Sequence, residues 1–369
     1  MMKQINLIWC AICLVSLTTN AQTNVNLLIS GEAIKNGSPN GIGEFAAPSL
    51  TGVIMGLAKV DSDDYQDLFL QGDVRKPGTY LYHFKKFTAD GAPVFSQGTK
   101  LKLPFEDTGE NKSAIIQAPN KDIYGFWRFG GKMLKSAMFN KATNSFGEAK
   151  NIKINGLPSG LSTFGVIKTL QGKYLFLFTI PQVSKDLIKM ATDSAYFTPE
   201  GYWPNELNQV GIYGAVVNNL ENLNSLDTRP LTELDQTYFG ISGYTSYETN
   251  GEQYLICGTR FGNIHTYKVD GEKLQSTKYL VDKNNVLQRS PFVNGYTGYF
   301  KGTGNTEGLL LSGEGGMVFY RNTKQKDKNG NLVFDDVSAV KQENPVLYGG
   351  SLVVPSLADW DGDGMIDMV

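Results

Sequence analysis

Four carboxylates near the end of the chain have the spacing of a hard-cation site. Asp359, Asp361, Asp363 and Asp367 occupy positions 1, 3, 5 and 9 of the run Asp359-Trp-Asp-Gly-Asp-Gly-Met-Ile-Asp367. Gly362 and Gly364 allow the left-handed backbone that a tight wrap needs. Several oxygens around one small concavity suit Ca²⁺, which takes roughly 6–8 oxygen ligands. Without a cation the carboxylates would repel one another, and some would have to protonate. The expected ligands are the four Asp side chains with the Met365 carbonyl. The run opens like an EF-hand, but the Glu required at position 12 is missing because the chain stops at position 11. Its flanks, Ser351-Leu-Val-Val-Pro-Ser and Met365-Ile-Asp-Met-Val369, are apolar and β-branched and read as strands, not helices.

The run has degenerate copies. Ala58-Lys-Val-Asp-Ser-Asp-Asp-Tyr-Gln-Asp-Leu68 aligns on it without a gap, so that Asp61, Asp63 and Asp67 form a weaker second loop. Lys59 replaces the first Asp there, and its ammonium can stand in for the charge of an ion. A third copy, Phe300 to Gly313, keeps the glycines and loses most of the acids.

Other residues fit enzymatic or sugar chemistry. The chain has only two histidines, His83 and His265, each a few residues past a glycine turn. Either could serve as a general base, and either could be a packing residue. Trp127, Arg128, Tyr202, Trp203, Tyr244 and Arg260 are the residue types that stack on pyranose rings or read carboxylates. Cys257, in Tyr254-Leu-Ile-Cys-Gly258, reads as a small buried hydrophobe. There is no phosphate loop, dinucleotide fingerprint, zinc spacing or nucleophile elbow.

An acidic loop between strands resembles the FG-GAP or VCBS repeat, carried here by Ala358-Asp-Trp-Asp-Gly-Asp-Gly-x-x-Asp-Met-Val369. That resemblance implies a β-propeller in which Ca²⁺ pins a blade's turn. It also places the chain beside integrin-type binding heads and secreted bacterial propellers that act on polysaccharides.

The elements that must position these residues are strands. Apolar residues make up 41%, aromatics 11%, glycines number 41, and the formal charge is −2. This composition suits many short strands joined by turns, and it offers no basic excess for nucleic acid. Strand starts recur near 68, 123, 174, 254, 309 and 368, and those at 68, 123, 254 and 309 are followed by a glycine turn and a second strand. Steps near 50–60 residues point to propeller blades with loops, and the long step from 174 to 254 implies an insertion at about 182–208. The expected fold is all-β, a propeller of six or seven four-stranded blades over 22–369, with the last blade incomplete in this chain.

Residues 1–21 read as a signal peptide. Lys3 precedes an apolar run from Ile5 to Leu17, and small residues precede a cut after Ala21. The mature chain would be secreted, periplasmic or at the cell surface, without a membrane span. Three functions remain: a Ca²⁺-dependent binding module for glycan or protein, a polysaccharide lyase or glycoside hydrolase, and a structural surface protein.

Overall fold

The computed structural model describes residues 50, 52–72, 77–107, 112–181, 210–232, 240–260, 262, 264–291, 295–303, 306–313, 316–343, 356–360 and 362–368. The proposed leader, the expected insertion at 182–208, Tyr202, Trp203 and Asp361 lie outside these residues.

The described residues form strands. The first blade is built from β1 (Val53–Ala58), β2 (Asp67–Gln71) and β3 (Thr79–Tyr82); β4 (Phe84–Phe87) and β5 (Pro93–Phe95) form a side hairpin, and β6 (Thr99–Lys100) is the outer edge. The second comprises β7 (Ser113–Gln117), β8 (Ile123–Arg128), β9 (Met133–Asn140), β10 (Ser145–Phe146) and β11 (Lys150–Asn155). β12 (Thr163–Lys168), β13 (Tyr174–Pro181) and β14 (Val210–Val217) form the third, which ends after β15 (Ser225–Asp227) in β16 (Arg229–Pro230). The fourth is β17 (Ile241–Thr249), β18 (Glu252–Thr259), β19 (Ile264–Asp270) and β20 (Lys273–Val281). The fifth is β21 (Tyr296–Phe300), β22 (Gly308–Gly313), β23 (Gly316–Lys326) and β24 (Leu332–Ala339). β25 (Lys341–Gln342) and a hairpin of β26 (Leu357–Ala358) and β27 (Asp367–Met368) follow.

The second strand of each blade explains the architecture. β2, β13, β18 and β22 are apolar through their middles because a neighbouring sheet covers each face. In β13, Phe176 and Phe178 enter a cluster with Phe126 and Ile116 of the second blade, while Leu175 and Leu177 enter one with Leu255 and Cys257 of the fourth. β2 divides likewise, sending Phe69 toward Trp127 and Leu68 and Leu70 toward Leu310 and Phe319. Five apolar clusters result, one between each pair of adjacent blades, and one of them joins the fifth blade to the first. This closes a ring and makes the molecule a β-propeller.

Parallel rungs tie neighbouring blades at the rim: β11 with β15, β20 with β24, β5 with β25, and a lone bridge of Lys102 with Ser145. Inside the blades, hairpin turns carry the usual chemistry. Asn250-Gly251, between β17 and β18, has φ of 50° and 73°, the type I′ pattern that matches strand twist.

Five blades stand in the described residues, where six or seven were expected. The strand starts at 68, 123, 174, 254 and 309 fall on β2, β8, β13, β18 and β22, the second strand of each blade. The sixth, at 368, falls on β27, whose only described partner is β26. The first and fifth blades already pack together, so the ring needs no strand from this hairpin.

Candidate functional site

The five leading strands β1, β7, β12, β17 and β21 stand around the axis and line a cavity of about 430 Å³. Glycine lets them approach. A Cβ on Gly243 of β17 would sit 2.7 Å from the Thr297 amide nitrogen of β21, and one on Gly165 of β12 would sit 2.8 Å from the Tyr244 Cβ of β17. On Gly56 of β1 it would meet the Ile115 carbonyl of β7 at 2.6 Å.

The wall is polar. Ser113, Thr163, Ser242, Thr245, Ser246 and Thr297 line it, and the Thr297 hydroxyl is buried without a hydrogen-bond partner. Tyr244 also lines it. Its hydroxyl shares a hydrogen bond with that of Thr179, and burial pushes its pKa well up.

Lysines guard the ends. Lys59 follows β1, Lys121 sits in the β7–β8 turn, Lys168 ends β12 and Lys301 follows β21. Each leading strand opens its blade and all run the same way, so these four share the mouth at the strand ends. Lys112, before β7, lines the cavity from the other side and donates to the Tyr296 hydroxyl at 3.2 Å. The four mouth lysines come from four blades, and Gln66 and Gln117 hold the backbones of three of them. Lys301 N donates to Gln66 Oε1 at 2.6 Å, Lys59 N to Gln117 Oε1 at 3.1 Å, and Gln117 Nε2 to the Lys121 carbonyl at 3.3 Å. Among the described residues, no carboxylate lines the cavity and none pairs with these ammonium groups. The site can therefore receive an anion and offers it hydroxyl donors deeper in.

Of the described candidates singled out from the sequence for sugar or acid–base chemistry, Tyr244 lines the cavity and the others lie elsewhere. Trp127 is fully buried in β8, edge-on to Phe105 at 5.2 Å and Phe146 at 4.8 Å, so it packs two blades and offers no sugar platform. Arg128 donates to the Ser162 carbonyl at 3.0 Å, joining the second blade to the third. Arg260 lies in the β18–β19 turn, where its amide donates to the Gly240 carbonyl at 3.2 Å. Neither arginine lines the cavity. His265, on β19, is buried; its Nε2 lies 3.1 Å from Ser276 Oγ and its ring meets Tyr267 at 4.5 Å. His83 follows β3. Both histidines sit two strands out from the axis, so neither is a base in the central cavity.

His83 meets two acids of the second loop instead. Its Nδ1 is 3.4 Å from Asp61 Oδ2 and 3.2 Å from Asp67 Oδ1. Asp67 is fully buried and accepts the Val60 and Phe84 amides, each at 2.9 Å. Burial pushes its carboxyl pKa up, and these amides pull it back. Asp63 turns away and caps the Tyr65 amide at 2.8 Å, so Asp61, Asp63 and Asp67 do not gather as expected.

The terminal loop lies between β26 and β27, which pair antiparallel as Leu357↔Met368 and Ala358↔Asp367. The Asp359 carboxylate accepts the Gly362 amide at 2.8 Å and the Gly364 amide at 3.0 Å, and Asp363 accepts the Met365 amide at 2.7 Å. Gly362 and Gly364 have φ of 77° and 85°. The strand at Asp367–Met368 and the positive-φ glycines agree with the sequence reading, while residues 351–355 of the other flank lie outside the described residues. The same turn, from first to second strand, carries the degenerate copies in the first and fifth blades.

No family model matches the chain, and no curated protein sequence matches it. Among solved structures it is similar to a thermostable family-43 glycoside hydrolase, at 12% identity over 82% of this chain and 99% of that one, with a TM-score of 0.48. It is similar to a GH43_1 enzyme from Xanthomonas citri complexed with xylose, at 12% identity over 80% and 93%, TM-score 0.49. An α-L-arabinofuranosidase from Clostridium thermocellum aligns at 11% identity over 82% and 98%, TM-score 0.47. With TM-scores below 0.5 these likenesses carry no argument, and the propeller rests on its own five blades and five clusters.

Proposed function

We propose that the chain is an exported binding module whose axial cavity takes an acidic glycan, such as a uronate-bearing oligosaccharide. The observation that supports this is the set of four mouth lysines on four blades, with Lys112 opposite and no carboxylate on the described wall. A cavity of about 430 Å³ is the size of a small-ligand site. The lysines attract carboxylates, and the Thr297 hydroxyl supplies an unused donor to a sugar oxygen.

The resemblance of the terminal loop to FG-GAP and VCBS repeats supports a structural Ca²⁺ held by Asp359, Asp361, Asp363, Asp367 and the Met365 carbonyl. Ca²⁺ would add rigidity to the hairpin, and export supplies a calcium-rich compartment.

Glycoside hydrolysis is the second reading, and the solved structures named above are themselves glycosidases. It requires two carboxylates roughly 5–9.5 Å apart around the scissile bond. The described cavity wall has none, so such a pair would have to come from outside these residues.

Isothermal titration with polyuronate and neutral xylan oligosaccharides tests the proposal. The acidic ligand is expected to bind, to weaken with salt, and to lose about tenfold in affinity (about 1.4 kcal/mol) in Lys168→Glu. Equal affinity for neutral oligosaccharides, or no effect of Lys168→Glu and Lys301→Glu, would overturn it. Release of reducing ends from either substrate would favour hydrolysis.

A further inference from the structure

We propose that Asp61, Asp67 and His83 form a binding site for a borderline-soft divalent cation, Zn²⁺ foremost, in the first blade. It differs from the oxygen-only loop anticipated there, because it replaces Asp63 with an imidazole nitrogen from the link between β3 and β4.

The first support is spacing. Four ligands at about 2.0–2.1 Å from a tetrahedral Zn²⁺ stand about 3.3–3.4 Å from one another. The His83 Nδ1 distances, 3.4 Å to Asp61 Oδ2 and 3.2 Å to Asp67 Oδ1, are close to that edge. One donor atom from each of the three residues falls within 4.8 Å of the others.

The second support is the state of His83 Nδ1. It is shielded from solvent and makes no hydrogen bond, although two carboxylate oxygens stand within reach. A buried ring nitrogen without a hydrogen bond, beside two carboxylate oxygens, is available to ligate a cation.

The third support is the fixing of each donor. The two amide bonds from Val60 and Phe84 hold both oxygens of buried Asp67. The His83 amide donates to Ser96 Oγ at 2.9 Å and the Ser96 amide to the His83 carbonyl at 2.7 Å, so strand pairing locks its backbone. Asp61 Oδ1 accepts the Asp63 amide at 3.2 Å, leaving Oδ2 toward the histidine. Such outer bonds orient metal ligands. Asp61 and His83 are partly exposed, at 42% and 27% of their side chains, which leaves an entry path and a fourth position for water. Imidazole with carboxylate favours Zn²⁺ and its transition-metal neighbours, whereas Ca²⁺ prefers an all-oxygen set.

The test uses the full chain after treatment with a chelator. Titration with Zn²⁺ should show one ion taken up by this site, and Co²⁺ should give a visible d–d band. Both signals should vanish in His83→Gln and in Asp61→Asn, and persist in Asp359→Asn, which alters only the terminal loop. Circular dichroism of metal-free His83→Gln should match the parent. If that variant does not fold, the exposed Asp61→Asn substitution decides alone. Absence of uptake in the parent, unchanged uptake in the folded variants, or Ca²⁺ displacing Zn²⁺ at equal concentration would overturn the proposal.

Discussion

Glu252 joins two blades through a single carboxylate. Its Oε1 accepts Lys268 Nζ at 2.6 Å, and its Oε2 accepts Lys326 Nζ of the fifth blade and the Tyr254 hydroxyl, each at 2.6 Å. These bonds, Lys268 first and then Lys326, hold its pKa down to about 2 from the ordinary 4.5. A lowered carboxylate pKa stabilises the fold above the ordinary value, and that stability is lost as pH falls from 4.5 to about 2. The side chain is a third exposed, so water screens the effect and it stays small. Thermal melts should show Glu252→Gln less stable than the parent at neutral pH, with the gap closing below pH 4.5 and gone near 2; a gap that persists there would refute this. Single residues were the least legible level of the sequence. Trp127 and the mouth lysines show why. An indole on a strand looks the same whether it faces a sugar or a neighbouring sheet. Four lysines scattered from 59 to 301 become a ring only once the blades are placed.

At the scale of elements, the leading strands depend on glycine. A Cβ on Gly243 would press on backbone, the Thr297 nitrogen at 2.7 Å. On Gly298 it would meet side-chain tips, Ile54 Cγ2 at 2.8 Å and Leu57 Cδ1 at 2.9 Å, which can turn aside. Overpacking typically costs about 1–3 kcal/mol. Gly243→Ala should therefore cost about 3 kcal/mol and Gly298→Ala about 1 kcal/mol, read from urea midpoints. Equal losses would show that the backbone contact relaxes as easily as the side chains. Second strands were readable because they are apolar on both faces, as in Tyr174-Leu-Phe-Leu-Phe178. Leading strands such as Ile241-Ser-Gly-Tyr-Thr245 and Tyr296-Thr-Gly-Tyr-Phe300 were not, since small and polar residues beside glycine also mark loops. A glycine about ten residues ahead of each apolar strand was the signal available for four of the five.

For the whole molecule, stability depends on the seam between the first and fifth blades, which among the described residues share no sheet pairing except the β25–β5 rung. The first blade is made wholly from the early part of the chain and the fifth wholly from the later part. Phe300 anchors the seam. It is fully buried among Phe84 at 5.8 Å, Phe87 at 6.0 Å and Phe95 at 6.3 Å, all of the first blade. The Ser312 hydroxyl donates across the seam to the Gly52 carbonyl at 2.7 Å, and β25 adds a parallel rung to β5. Phe300→Ala should cost about 3–5 kcal/mol, the range for a large buried aromatic. Hydrogen exchange should then rise on both sides of the seam, in β1–β5 and β21–β25. A rise confined to one blade would mean that the seam does not couple the two ends.

The sequence by itself determined that this chain is built of repeated sheets. It also placed the second strand of each blade and marked the acidic turns that follow a leading strand. Those features are local, carried by apolar runs and by glycines within a few residues of one another. The tertiary structure alone decided that five blades close the ring, that His83 meets Asp61 and Asp67, and that lysines from four blades surround one mouth. Each of these depends on which faces pack together around the axis, and packing joins residues that the chain keeps far apart.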